Sequence, residues 1–161
     1  MRTVEAKQLD GFIARFSPEV AAVAKKALAK MRKKLPGAMQ LAYDNYNALA
    51  IGFGPSERAS EAIFSIALFP RWVSLFFLQA RGLVDPHGLL KGAGKVARHI
   101  VLKSAEDLDD PAIQNLIEQA LRNAKVPLDH AAKGRLVIRS VSAKQRARRP
   151  SISKEHIPKE Q

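Results

Sequence analysis

The chain has 161 residues, 27 Lys and Arg against 15 Asp and Glu, a net charge of +12, no cysteine and 47% hydrophobic residues, the profile of one ordinary soluble domain. Without cysteine there is no disulfide framework, thiolate zinc site, iron–sulfur cluster or cysteine nucleophile, and a reducing compartment fits best. The apolar stretch from Ile63 to Leu78 is broken by Ser65, Pro70, Arg71 and Ser74, short of the ~18 apolar residues a membrane span needs, and the charged first ten residues lack the apolar core of a signal peptide. A cytoplasmic location without membrane contact is expected.

A short helix is predicted around Lys7 to Arg15, turning Leu9, Phe12, Ile13 and Phe16 inward. Ser17-Pro18-Glu19 then has the form of a helix start, with a serine N-cap, proline at the first helical position and a carboxylate near the positive dipole end. Val20, Val23, Ala24, Ala27, Leu28, Met31 and Leu35 recur at steps of three and four, one apolar stripe for a core, until Pro36-Gly37 stops the helix. Lys25, Lys26, Lys30, Arg32, Lys33 and Lys34 cover the other face and must meet water or an anionic partner.

From Met39 the period becomes that of a strand. Leu41 and Tyr43 lead to a turn at Asp44-Asn45, and Leu49, Ile51 and Phe53 alternate with small residues before Gly54-Pro55-Ser56 opens a polar loop. Two further strands, Glu61 to Phe69 and Arg71 to Leu78, flank Pro70. Phe64, Ile66 and Leu68 line one face and Ile63, Ser65, Ala67 and Phe69 the other. Residues 80–94 form a glycine-rich loop long enough to imply a role, and a fifth strand follows over Val96 to Leu102. Asp110-Pro111 repeats the cap-and-proline signal ahead of a helix with Ile113, Leu116, Ile117, Ala120, Leu121 and Ala124 on one stripe. Leu136 to Ile138 adds a short strand.

These elements predict an α+β fold: an antiparallel sheet of five or six strands with the N-terminal and C-terminal helices packed on one face. The charge is uneven, +5 over residues 1–132 and +7 over residues 133–161. A single domain is therefore expected over 1–140, followed by a basic arm over 141–161 in which Lys144, Arg146, Arg148, Arg149 and Lys154 cluster. Such an arm reads first as a solvated tail and alternatively as a nucleic-acid contact through counterion release.

The order of elements, with Phe16-Ser17-Pro18-Glu19-Val20, Tyr43 before the second strand, Gly94-Lys95 followed by Arg98 and Ile100, and the final helix, resembles the YdhG-like family over roughly residues 8–125. That resemblance implies a frataxin-like fold and, by analogy, iron chaperoning. Frataxin presents acidic side chains along its first helix, whereas lysines cover the corresponding helix here and repel a hard cation. The acidic cluster Glu106, Asp107, Asp109 and Asp110 reads as caps for the last helix.

Two constellations remain as candidate ligand sites. Gly92-Ala93-Gly94-Lys95 lacks the first glycine, the following Ser or Thr and the helix of a Walker loop, leaving a glycine turn whose Lys91, Lys95 and Arg98 can hold an anion or stand exposed around a plain turn. Tyr43, Asp44, Asn45 and Tyr46 can fix a polar ligand or serve as turn formers. Trp72, beside Phe69, Phe76 and Phe77, is expected in the core. His87, His99, His130 and His156 lack the spacing of a zinc site, and no acid, base or nucleophile stands in a recognised catalytic context. The sequence therefore points to a binding module, not an enzyme, for an anionic small molecule or an acidic protein surface. No metal or cofactor is expected.

Overall fold

Each helix begins where a side chain captures a free backbone donor. In the computed structural model, which describes residues 2–150, Thr3 Oγ1 accepts from the Ala6 amide and starts α1 at Val4–Ala14, earlier than the apolar stripe alone indicated. Ser17 caps α2, Pro18–Lys34, with Pro18 at its first position. Asp110 accepts from the Ala112 amide and starts α3, Pro111–Asn123. Such caps each contribute ~1 kcal/mol. Two 3-10 turns that the apolar periodicity does not mark, Ala59–Glu61 and Ala105–Asp109, sit in the polar connections.

The strands are β1 Met39–Asp44, β2 Leu49–Gly54, β3 Phe64–Leu68, β4 Val73–Phe77, β5 Arg98–Leu102 and β6 Leu136–Val141. They form one sheet in the order β5-β4-β3-β2-β1-β6. The first five pair antiparallel, as expected, but β6 runs parallel to β1. The sheet is mixed because β6 follows a crossover through α3, and a crossover, unlike a hairpin, permits parallel pairing.

Cross-strand register defines the two faces. Ala42, Ile51, Ile66, Leu75 and Ile100 form one row, all buried against the helices in a single apolar cluster that includes Leu9 and Ile13 of α1, Leu28 and Met31 of α2, and Leu116 and Ile117 of α3. Asp44, Leu49, Leu68, Val73 and Leu102 form another row on this same face. A carboxylate therefore enters the rim of the core, where it needs a partner.

The partner comes from the segment expected to be an arm. Residues 142–150 fold back over the end of β1: the Ser142 amide donates to Asp44 O and the Arg146 amide to Tyr46 O. Arg148 is 4% exposed, so the solvated-tail expectation is corrected for these residues; a buried carboxylate draws the guanidinium inward. Residues 151–161, with Lys154, lie outside the described residues. Trp72 is also corrected: it is 43% exposed, stacked on Phe69 at 4.9 Å at the β3–β4 turn.

Among the described residues no helix is long and apolar enough to cross a membrane.

Candidate functional site

The two predicted constellations lie at opposite corners of the sheet. Asp44 ends β1, whereas Arg98 begins β5, four strands away and in the row of Gln40. Strand spacing and rise separate them by ~19 Å across the sheet and ~13 Å along it. They do not form one pocket.

At the first corner, Arg148 Nη2 donates to Asp44 Oδ1 at 2.8 Å and to Asn45 O, while Nη1 reaches Tyr46 O at 3.4 Å. Arg15 Nη1 stands 3.5 Å from the other Asp44 oxygen, and the Arg148 guanidinium carbon lies 5.5 Å from the centroid of the Phe16 ring. Gln145 bridges Arg15 and Asp44 O. Asp44 and Asn45 thus hold the chain's own arginine. Tyr43 faces the other side of the sheet, in the row of Ala50 and Ala67, and exposed Tyr46 lies under Arg146. Arg149 donates to Ala14 O and Arg15 O, satisfying carbonyls at the negative end of α1. Of the four singled-out arm cations that lie within the described residues, Lys144 alone has no hydrogen bond, ion pair or ring contact there.

At the second corner, Lys95 precedes the strand in a bend and is exposed. Lys91 pairs through its backbone with His99, and Gly92 holds the turn at φ +106, which L side chains rarely adopt. Arg98 donates to Leu90 O at 3.1 Å and is only partly accessible. This arginine closes the glycine loop onto β5.

The acidic cluster, expected to cap the last helix, does so through Asp110 alone, because its other members sit in the preceding 3-10 turn. Asp110 caps α3 and Asp107 accepts from the Lys103 and Ser104 amides. Asp109 instead bonds Lys30 and Lys34 of α2. Those hydrogen bonds, Lys30 first, hold the Asp109 carboxyl below its usual range, and the Asp109 bond raises Lys30. Among the described residues no group of three or more His, Cys, Asp or Glu is placed to hold a metal.

A groove of about 480 Å³ lies elsewhere, between α1 and α2 above the β1–β6 edge. α1 contributes Ala6, Leu9 and Ile13, while α2 contributes Lys25, Leu28 and Arg32; Gln40 and Leu136 form the sheet side. Steps of three and four along α1, and likewise along α2, bring these residues to facing sides of the two helices. Its walls carry three cations, Arg2, Lys25 and Arg32, against one carboxylate, Asp10, which is already ion-paired with Arg2.

Arg32 Nε donates to Gln40 Oε1 at 2.8 Å, and no carboxylate pairs with its guanidinium among the described residues. Burial chiefly lowers its pKa; Asp10 opposes that shift and the Arg2 charge reinforces it. Arg32 nevertheless retains substantial accessible surface and its charge at neutral pH. Sequence reasoning placed Lys25 and Arg32 on a basic face without seeing the groove. Their Lys-x-x-Leu-x-x-x-Arg spacing was the available signal, but the opposing wall came from α1 and a strand beginning over a hundred residues later.

No family model, curated protein or solved structure matches the chain.

Proposed function

We propose that the protein is a binding module for an anionic small molecule, which it holds in the α1–α2 groove with the anionic group at Arg32. The observation that carries this reading is Arg32 itself, a cation in the wall of a concavity, held by Gln40 and ion-paired with no carboxylate among the described residues, Asp10 acting on it only at longer range while paired with Arg2. A bound anion supplies the missing charge through a planar donor fork suited to carboxylate or phosphate. The concave shape and the apolar surface of Ala6 and Leu136 favour a small molecule over an acidic protein face.

The site differs from the two expected from sequence. Asp44 and Arg98 have internal partners, and exposed Lys95 does not line the α1–α2 groove. The nucleic-acid alternative draws less support because Arg148 and Arg149 donate to groups of the domain itself. Iron chaperoning draws none from the acidic cluster, whose three aspartates accept from backbone amides and lysines. Membership in the YdhG-like family remains part of the proposal, supported by the order of helices and strands.

Isothermal titration with octanoate at low ionic strength tests the reading. The Arg32→Met variant keeps an apolar stem and removes the donor fork, so binding should weaken about tenfold with little change in melting temperature. Equal octanoate affinity in the variant and the native chain would refute the assignment.

A further inference from the structure

Building on the groove reading, we infer that the ligand is an elongated dianion: two anionic groups joined by an apolar chain, one at Arg32 and the other at Lys25. α2 supplies both cations to the same groove with Leu28 between them, and their separation of seven residues amounts to ~10.5 Å along the helix axis. A compact anion seated at Arg32 leaves Lys25 about two turns away and unmatched.

Lys25 makes no ion pair among the described residues. The groove's one carboxylate, Asp10, is paired with Arg2 and acts on Arg32. The accessible apolar lining comes from half-buried Ala6 of α1 and Leu136 of β6, over buried Leu9 and Leu28, with Thr3, Asp10 and Gln40 as further polar lining. A chain of about six methylenes covers most of the span, meets the apolar surface of Ala6 and Leu136, and leaves the flexible cationic stems to cover the rest.

The test compares octanedioate with octanoate by isothermal titration of the full chain. Octanedioate should bind the native protein about tenfold tighter, because it adds one charge-assisted contact. Lys25→Met should abolish that advantage, so that octanedioate and octanoate bind the variant with affinities within about twofold of each other. Equal affinities of the two probes for the native chain would overturn the dianion while sparing the anion seat. An octanedioate advantage that survives in the variant would overturn the role of Lys25. Failure of both probes to bind would remove the underlying groove reading and the dianion with it.

Discussion

Replacing Arg148 with alanine should cost the fold far more than an ordinary surface arginine would. The Asp44 side chain is 1% accessible and that of Arg148 2%, with 2.8 Å between them. The substitution removes the closest cation, two donors to the Asn45 and Tyr46 carbonyls, and the packing on Phe16. Asp44 is then left buried with Arg15 at 3.5 Å as its remaining ionic neighbour. Breaking one side of a buried pair costs ~3–5 kcal/mol, and Arg15 places this case near ~3 kcal/mol by retaining part of the attraction. In a domain whose total stability is of order 5–15 kcal/mol, that is a large shift in the midpoint of urea unfolding followed by circular dichroism.

A chain ending at residue 147 should lose a similar amount. Asp44→Leu combined with Arg148→Met should recover most of the loss, because a buried pair replaced by apolar groups leaves no orphan charge. A loss below ~1 kcal/mol for Arg148→Ala, the level of an exposed pair, would refute the account of residues 142–150 as an integral clasp.

Three further outcomes are expected. A Cβ at Gly134 would overlap the Ala38 carbonyl, so Gly134→Ala should lower unfolding free energy by ~2 kcal/mol or more, and unchanged stability would show that the entry to β6 shifts freely. Asp109, held below its usual range by Lys30 and Lys34, should titrate by carbon-detected NMR below the unfolded-state value of ~3.9. Because its folded pKa is depressed, the Lys30–Asp109–Lys34 bridge stabilises above the unfolded value and loses that contribution as pH falls through the folded one; a midpoint that does not rise in Lys30→Met/Lys34→Met would contradict this. Asp110→Ala removes the α3 cap and should cost ~1 kcal/mol in the same unfolding assay.

The parts of the fold that were legible in the sequence are those governed by neighbours along the chain. Ser17-Pro18 and Asp110-Pro111 announce their helices because cap chemistry acts within three residues, and the alternation of Phe64, Ile66 and Leu68 assigns a strand face by itself. Thr3 carries the same cap signal, overlooked because the apolar stripe begins later. Arg148 reads as one more cation of a basic tail, since its carboxylate lies 104 residues earlier. The parallel placement of β6 depends on where α3 returns the chain, which no local pattern records. Arg32 was visible as a surface charge; its meaning depends on α1 closing one wall and β6 supplying the edge.

The central claim is that an anion sits against Arg32 in the α1–α2 groove, and amide and side-chain NMR shifts during an octanoate titration test it most directly. The account predicts saturable shifts at Ala6, Leu28, the Gln40 side-chain amide and Leu136, all of which line the groove with Arg32. Shifts centred instead on Lys91, Lys95 and Arg98, or on Tyr43 to Tyr46, with the groove signals unmoved, would contradict it.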